Sequence, residues 1–286
     1  ALVHTGPSQP PIIAFCPPNT TVHMLLAEGG GARALDFSSD GHLLVSGNLR
    51  GELSVWDVAH RQLLHKWVAH KRSAITCVKF AHDSSAVYSC GEDCKVILWD
   101  WRQQTQVAAL VAHQAPVNSV EMSVDGTVMA SGDKDGMVIV WDTATREPRQ
   151  IIPAHEGHVL CCSVSPDGSK VASSGADEHI VVLDSHSGEE LVVLDDALDG
   201  KGLTIKFSFD ATRLEIGGEK GNVLIWDISR GCLLYDIAAH DGKVYDCSWS
   251  GDSRRLLSVG DDGRARLWDA AAGSEICAAN FSRGFG

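Results

Sequence analysis

Serine, histidine and aspartate, the residue types of a hydrolytic triad, recur together four times along the chain. In a triad, histidine takes the proton of a serine hydroxyl while aspartate orients the histidine. The four sets stand at similar offsets: His70, Ser89 and Asp93; His113, Ser131 and Asp135; His155, Ser173 and Asp177; and His240, Ser258 and Asp262. A nucleophile is needed once, not in four copies. The repetition therefore predicts a structural role, and we assign no catalytic residue.

A tryptophan ten residues after the serine closes three of these sets. The three are Trp99, Trp141 and Trp268, whereas the set of Ser173 ends at Leu183. Two further repeats end at Trp56 and Trp226, have no histidine at the loop position, and carry Arg50 and Lys220 where the aspartate is expected. We expect those two repeats to be held by packing alone.

The elements that position these residues repeat with a fixed period. The aspartates that follow the closing residues are 42 or 43 positions apart, at Asp57, Asp100, Asp142, Asp184, Asp227 and Asp269. Within each period, short alternations of apolar and polar residues are separated by turns such as Ser165-Pro166-Asp167-Gly168, which is typical of short antiparallel strands. A period just above forty built from such strands predicts a β-propeller in which each repeat is one blade.

These marks resemble the WD-repeat family over essentially the whole chain. Ala-His stands where that family has Gly-His, Ser-Gly lies on the second strand, an aspartate precedes the tryptophan by six residues, and Trp-Asp closes the repeat. The resemblance implies a hydrogen-bonded chain inside each complete blade. Aspartate would accept from one histidine nitrogen, the other nitrogen would meet the serine hydroxyl, and serine would accept the indole N–H.

The register predicts one all-β domain over residues 1–286, a seven-bladed β-propeller of four-stranded antiparallel blades. Phe15-Cys16 lies 41 residues before Asp57 and reads as a degraded repeat end, so residues 1–5, 11–15 and 21–25 are expected to be strands of a partial blade. The expected bounds are 1–27 for the partial blade, about 28–67, 68–111, 112–153, 154–195, 196–238 and 239–279 for six complete blades, and 280–286 for a tail. The seventh blade lacks an inner strand and the chain has no initiating Met, so we expect a domain of a larger protein with its termini side by side.

Composition narrows the possible partners. The net charge of -13 argues against binding nucleic acid through its phosphates and favours a basic protein partner. No apolar stretch approaches the roughly 20 residues of a membrane span, so no membrane contact is expected. The nine cysteines are scattered and odd in number, which indicates buried apolar residues in a reducing, intracellular compartment; we expect the cytoplasm, with the nucleus or a cilium as alternatives. We predict no metal site and no cofactor.

The resemblance implies a non-catalytic scaffold for other proteins, which usually dock on one face near the central channel. Two positions in each repeat are expected there, one just after the start of the inner strand and one before the turn aspartate. This candidate face comprises Arg33, Arg50, Thr76, Glu92, Asn118, Lys134, Leu160, Leu203, Glu219, Tyr245 and Asp261, with Leu49 and Ala176. Its neighbouring acidic and apolar residues are suited to an anchored partner segment with a charged rim.

Two other functions remain open. Trp99-Asp100-Trp101-Arg102 resembles the Trp-Asp-any-Arg box by which some WD-repeat proteins join a cullin-type ubiquitin ligase as substrate receptors, which would make Arg102 an adaptor contact. An enzyme or small-molecule site in the central channel would need inward carboxylates or histidines beyond the repeated sets. We identify none at matched positions.

Overall fold

The computed structural model describes residues 2–4, 12–14, 32–195 and 198–280, the first two ranges by their backbone alone. Every element in these ranges is a β-strand. The first two strands, β1 (Leu2–His4) and β2 (Ile12–Ala14), pair with each other in a two-stranded antiparallel sheet. The other strands form six antiparallel sheets of four, which we number as blades 1 to 6 in chain order.

The strands of each blade follow one another along the chain. Blade 1 comprises β3 (Ala32–Phe37), β4 (Leu43–Asn48), β5 (Glu52–Asp57) and β6 (Gln62–Val68), and blade 2 comprises β7 (Ile75–Phe80), β8 (Val87–Gly91), β9 (Val96–Asp100) and β10 (Thr105–Leu110). Blade 3 comprises β11 (Val117–Met122), β12 (Val128–Asp133), β13 (Met137–Asp142) and β14 (Pro148–Pro153), and blade 4 comprises β15 (Val159–Val164), β16 (Lys170–Gly175), β17 (Ile180–Asp184) and β18 (Glu190–Leu194). Blade 5 comprises β19 (Gly202–Phe207), β20 (Arg213–Gly218), β21 (Asn222–Asp227) and β22 (Cys232–Ala238), and blade 6 comprises β23 (Val244–Trp249), β24 (Arg255–Gly260), β25 (Arg264–Asp269) and β26 (Ser274–Asn280).

The predicted blade number is wrong: the described residues form a propeller of six four-stranded blades, not seven. The N-terminal strands pair as a hairpin, with Leu2 opposite Ala14, but this sheet has only two strands of three residues each. A sheet this small cannot bury the face of a blade. The expected ending at Phe15-Cys16, the strand at 21–25 and the meeting of the termini lie outside the described residues.

Most of the core lies between blades, and one smaller cluster around Leu44 and Trp56 lies within blade 1. One apolar cluster joins Val45 and Leu53 of blade 1 to Ile75 and Val78 of blade 2. Four further clusters join blades 2 and 3, 3 and 4, 4 and 5, and 5 and 6 in the same way. Neighbours cover both faces of the middle strands, so β8 and β12 are buried along their whole length. The outer strand β6 is mostly exposed.

A chain of three hydrogen bonds crosses the middle of blade 2. The indole Nε1 of Trp99 donates to Ser89 Oγ over 3.0 Å, Ser89 Oγ lies 2.8 Å from His70 Nε2, and His70 Nδ1 lies 2.8 Å from Asp93 Oδ1. An indole can only donate, so the serine hydroxyl donates to Nε2 and the imidazole donates from Nδ1 to the carboxylate. With the hydrogen bonds donated in this direction, from tryptophan through serine and histidine to aspartate, every buried polar group of the set has a partner.

The same chain is present in blade 6 and, without its indole, in blade 4. His240 lies 2.8 Å from Ser258 and 2.9 Å from Asp262, and Trp268 donates to Ser258 over 2.9 Å. In blade 4, His155 lies 2.8 Å from Ser173 and 3.1 Å from Asp177, and the buried Leu183 stands at the tryptophan position. Burial lowers the pKa of both histidines, against the pull of their carboxylates, and so favours the neutral ring that the chain requires.

Blade 3 corrects one member of its predicted set, because His113 pairs with Asp133 and not with Asp135. His113 Nδ1 lies 2.7 Å from Asp133 Oδ2, His113 Nε2 lies 2.6 Å from Ser131 Oγ, and Trp141 donates to that oxygen over 2.8 Å. The other oxygen of Asp133 accepts the backbone N–H of Asp135 over 2.9 Å. Asp135 itself is exposed.

A glycine decides which aspartate reaches the histidine. The other three sets have Gly91, Gly175 and Gly260 two residues after the serine. A Cβ at Gly175 would lie 2.1 Å from Asp177 Oδ1, and one at Gly260 would lie 2.3 Å from His240 Cγ. Glycine thus leaves room for the more distant aspartate. In blade 3 the residue at that position is Asp133, and its own carboxylate pairs with the histidine.

The two blades without a histidine differ from each other. In blade 1, Trp56 Nε1 still donates to Ser46 Oγ over 3.2 Å, so the expectation that packing alone holds this blade is wrong. In blade 5, the residue ten before Trp226 is Ile216, and the buried Trp226 Nε1 has no hydrogen-bond partner among the described residues. An indole N–H buried without an acceptor costs free energy.

Trp141→Phe and Trp226→Phe form a matched pair of substitutions. Both remove an indole, but only the first breaks a hydrogen bond and leaves Ser131 without its donor. We expect Trp141→Phe to lower the free energy of unfolding by roughly 1 kcal/mol more than Trp226→Phe does. Urea denaturation of the two variants and the unchanged chain measures the difference. Equal losses would show that the indole bond adds nothing to stability.

Asp133→Ala and Asp135→Ala test the corrected pairing. Removing Asp133 leaves the buried Nδ1–H of His113 unpaired, so we expect a loss of about 1–3 kcal/mol in the free energy of unfolding. Replacing the exposed Asp135 should change it by less than about 0.5 kcal/mol. The same denaturation experiment compares them, and a larger loss for Asp135→Ala would contradict the assignment.

Candidate functional site

The four serine hydroxyls cannot act as nucleophiles. Ser89, Ser131, Ser173 and Ser258 are completely buried, and each hydroxyl is hydrogen-bonded to its histidine. A nucleophile must contact its substrate. The sets therefore stabilise the blades, and two surfaces remain as candidates: the candidate face and the wall of the central channel.

On the candidate face, one carboxylate joins three blades. Glu92, in the turn after β8, has Oε1 3.6 Å from Arg33 Nη1 of blade 1 and 3.9 Å from Lys134 Nζ of blade 3. About two fifths of the Arg33 and Glu92 side chains is exposed. Exposed ion pairs of this kind contribute little to stability. The ion pairs among these three side chains can therefore be replaced by ion pairs with a partner at a small cost in free energy.

Blades 5 and 6 provide a second part of the face. Tyr245 donates from its hydroxyl to Asp261 Oδ1 over 2.9 Å while 40% of the residue is exposed. Lys220 forms an ion pair with Asp199, and Glu219 lies against Gly200. Tyr245 thus has its hydroxyl held in place while two fifths of the residue is exposed, and tyrosine is common in protein interfaces.

The remaining apolar and charged candidates differ in exposure. Leu49 is 55% exposed and Arg50 beside it is also exposed. Leu160, Leu203 and Ala176 are half-buried. Leu49 is therefore the most accessible of the aliphatic candidates.

Two members of the predicted face bind the neighbouring blade instead. Thr76 donates from Oγ1 to the carbonyl oxygen of Val117, and Asn118 donates from Nδ2 to the carbonyl oxygen of Val159 over 2.8 Å. Each carbonyl belongs to the first inner-strand residue of the next blade. Thr76 and Asn118 therefore tie blades 2, 3 and 4 together at this end.

Arg102 is already engaged within the chain. Its guanidinium carbon lies 4.2 Å above the ring of Trp101, and Nη1 donates to the carbonyl oxygen of Ser85 over 3.4 Å. Trp101 is itself buried and donates from Nε1 to the carbonyl oxygen of Ser84 over 3.0 Å. This geometry stabilises the outer part of blade 2 and does not favour the adaptor role.

The channel wall holds charged side chains that the sequence analysis missed. They occur at four of six matched positions, each twenty residues before the closing tryptophan or leucine: Asp36, Lys79, Glu121 and Lys206, whereas Ser163 and Ser248 stand at the other two. The expectation that matched positions carry no inward carboxylates is therefore wrong. The fixed offset is a signal that could have revealed them, but the residues at this position differ in charge from blade to blade and do not form a motif.

Ion pairs connect these side chains across four blades. Lys79 Nζ lies 3.4 Å from Asp36 Oδ1 and 3.1 Å from Glu121 Oε1. Lys206 of blade 5 forms an ion pair with the other oxygen of Glu121 in blade 3. Blade 4 lies between them and has the short Ser163 at the matched position, so it takes no part in the pair. Burial would raise the pKa of Glu121, but Lys206 and Lys79 lower it to about 2. Glu121 is therefore a fixed anion held by two cations.

Glu215, on β20 opposite Lys206, is the exception to this pairing. It is completely buried, and neither carboxylate oxygen has a hydrogen-bond partner among the described residues. Burial, and then the negative charge of Asp246, raise the pKa of Glu215 well above its usual value, although Lys206 opposes this. The environment therefore favours the neutral form of this carboxyl group.

Within the described ranges, no group of three or more histidine, cysteine, aspartate and glutamate side chains is arranged to hold a metal ion. The same ranges contain no helix with the length and apolarity needed to cross a membrane.

Comparison with protein families identifies the repeats. The model of the WD domain, G-beta repeat, matches residues 19–57, 61–100, 104–142, 146–184 and 231–269, which together make up more than half of the chain. The chain belongs to the WD40 repeat family. Residues 185–230 are not matched and contain most of blade 5, where Ile216 and Lys220 replace the serine and aspartate of the repeat.

Curated relatives match over shorter segments. Protein ROOT INITIATION DEFECTIVE 3 of Arabidopsis thaliana is 37% identical over 67 residues, which is 23% of this chain and 15% of that protein. Pre-mRNA-processing factor 17 of Homo sapiens is 37% identical over 71 residues, 25% of this chain and 12% of that protein. Methylosome protein WDR77 of Xenopus laevis is 35% identical over 72 residues, 25% of this chain and 21% of that protein. Each match thus covers a small part of the relative's own length.

Glu215→Gln tests the buried carboxyl group. A raised folded-state pKa means that the stability contribution is complete below the unfolded value of about 4.3 and is lost as pH rises through the folded pKa. Glutamine keeps the shape and cannot ionise. We therefore expect Glu215→Gln to gain stability relative to the unchanged chain as pH rises above about 4, a change to be followed up to about pH 9.

Melting temperatures across that range measure the effect. Glu147→Gln, a change at an exposed position, is the matched control and should follow the unchanged chain at every pH. A constant offset between Glu215→Gln and the unchanged chain would show that the carboxyl group does not titrate in this range.

Proposed function

We propose that this WD40 propeller is a non-catalytic platform for another protein, which docks on the candidate face. The observation that carries the proposal is the junction at Glu92, where partly exposed, weakly held charges of three consecutive blades meet. Blade 6 adds the partly exposed Tyr245. The face thus offers an aromatic anchor and a charged rim on a rigid support, as stable protein interfaces do.

The order of the face supports this role. Thr76 and Asn118 fix neighbouring blades at the same end, so the exposed residues project from strands that are tied to each other. A surface that is already rigid loses little conformational freedom when it binds. The partner can therefore be recognised through few strong contacts.

The relatives give the proposal a context but no partner. The printed names of two of them refer to pre-mRNA processing and to a methylosome, and both are matched over a quarter of this chain. We propose that this chain, too, works as part of a protein assembly. A reducing cytoplasmic location belongs to the same proposal.

Lys134→Glu and Tyr245→Ala test the face. The immobilised chain is used to capture proteins from lysate, and the captured proteins are quantified by mass spectrometry. We expect each variant to reduce capture of a specific partner about tenfold, since loss of an interface anchor costs more than about 1 kcal/mol. The melting temperature should not change.

Arg254→Glu is the matched control. Arg254 is exposed in the turn between β23 and β24, at the opposite end of the blade from Tyr245. It should retain the partner. If all three variants captured the partner as well as the unchanged chain does, the docking surface would lie elsewhere. If only the control lost the partner, the docking surface would lie at the opposite end of the blades.

A further inference from the structure

Two cysteines lie directly opposite each other in blade 2. Cys77 on β7 is the register partner of Cys90 on β8, and both are free thiols. Opposite residues of antiparallel strands have Cα atoms about 4.5–5.5 Å apart and side chains on the same face. A disulfide requires a Cα separation of about 4.4–6.8 Å. The backbone therefore already has the spacing of a cross-strand disulfide.

The two thiols differ in environment. Cys90 is completely buried, and its Sγ lies 3.4 Å from Thr76 Oγ1. Cys77 is partly exposed on the inner strand, and its Sγ lies 3.5 Å from the carbonyl oxygen of Val120 in blade 3. A hydrogen bond from Cys90, with help from Lys79 and against the effect of burial, lowers the pKa of Cys77 to about 7. Burial raises the pKa of Cys90.

We propose that Cys77 and Cys90 form a redox site at which a peroxide produces a reversible disulfide across blade 2. The Cys77 thiolate attacks one peroxide oxygen, the O–O bond breaks, and the leaving oxygen departs as hydroxide or alkoxide and takes up the thiol proton. The sulfenic acid on Cys77 is then attacked by the Cys90 sulfur, which releases water. Two thiols and one hydrogen peroxide thus give one disulfide and two waters, and a thiol reductant reverses the change.

The other blades show that this pair is specific to blade 2. The corresponding register partners are Ala34 and Gly47, Ser119 and Gly132, Cys161 and Ser174, Thr204 and Gly217, and Asp246 and Val259. A Cβ at Gly47 would lie 2.5 Å from Ile75 Cγ2, and one at Gly132 would lie 2.3 Å from Val159 Cγ1. The next blade thus fills the space beside these glycines. Blade 2 instead accommodates a thiol there, so the pair is not a consequence of the repeat.

Blade 4 provides a matched comparison. Cys161 occupies the position of Cys77 and is also partly exposed, but the residue opposite is Ser174, whose buried hydroxyl has no hydrogen-bond partner among the described residues. Cys161 therefore has no resolving thiol across the strand. Cys162 follows it in sequence and points to the other face of the strand.

Peptide mapping of the unchanged chain decides the proposal. The reduced protein is treated with hydrogen peroxide, remaining thiols are alkylated, and the digest is analysed without reduction. Trypsin cleaves after Lys79 and a glutamyl endopeptidase cleaves after Glu92, so Cys77, Cys90 and Cys94 fall in separate peptides and the disulfide appears as two linked peptides. We expect the Cys77–Cys90 link to be the main disulfide and to disappear when dithiothreitol is added before alkylation. A main link from Cys77 to another cysteine, or oxidation of Cys77 without a link, would overturn the proposal.

Two variants separate the roles of the thiols. Cys90→Ser should leave a sulfenic acid on Cys77, which dimedone labels, because the resolving sulfur is gone. Ser174→Cys should create a second linked peptide pair, between β15 and β16. If Cys90→Ser gave no dimedone adduct on Cys77 while Cys161 was labelled, Cys77 would not be the attacking thiol. The result for the unchanged chain stands even if a variant fails to fold.

Discussion

A four-stranded blade can bury its faces only against its neighbours, and this constraint shapes the whole molecule. Five of the six apolar clusters among the described residues are each shared by two consecutive blades, and middle strands such as β12 are buried along their whole length. The closing tryptophan or leucine occupies the same place in every blade, so the packing of one interface repeats at the next. The two short N-terminal strands pair only with each other and so do not make a four-stranded blade.

Polar groups buried in this packing need hydrogen-bond or ion-pair partners, and the blades differ in how many of these groups have one. The histidine chains of blades 2, 3 and 6 satisfy every member, and the ion pairs around Glu121 do the same beside the channel. Unpartnered groups among the described residues occur mainly in blades 4 and 5, at Ser174, Glu215 and Trp226. Blade 5 is also the blade that the family model passes over. Blade 5 thus departs from the repeat pattern and also contains buried polar groups without hydrogen-bond partners among the described residues.

The same architecture separates the residues that stabilise the blades from the residues of the candidate face. Residues that hold the blades lie in the interior, whereas the turns at one end of each blade contribute little to the core and can vary in charge and size. Glu92 and Tyr245 illustrate this freedom, because their contacts at the surface are few and exposed. Cys77 and Cys90 stand just inside that end of blade 2, between the inter-blade bond of Thr76 and the turn of Glu92. A redox change there would occur close to the surface proposed to bind the partner.

The sequence by itself determined the all-β class, the repeat of about 42 residues and the strands of the six blades, because turn residues and alternating patterns act locally. It also identified the histidine, serine and tryptophan of each complete set, since these lie at constant offsets in one blade. The tertiary structure alone decided that Asp133 and not Asp135 meets His113, that Thr76 and Asn118 bond to the next blade, and that Lys206 reaches Glu121 across the channel. Those contacts join residues whose distance depends on side-chain room and on how blades sit against each other. A pattern along one chain does not encode that distance.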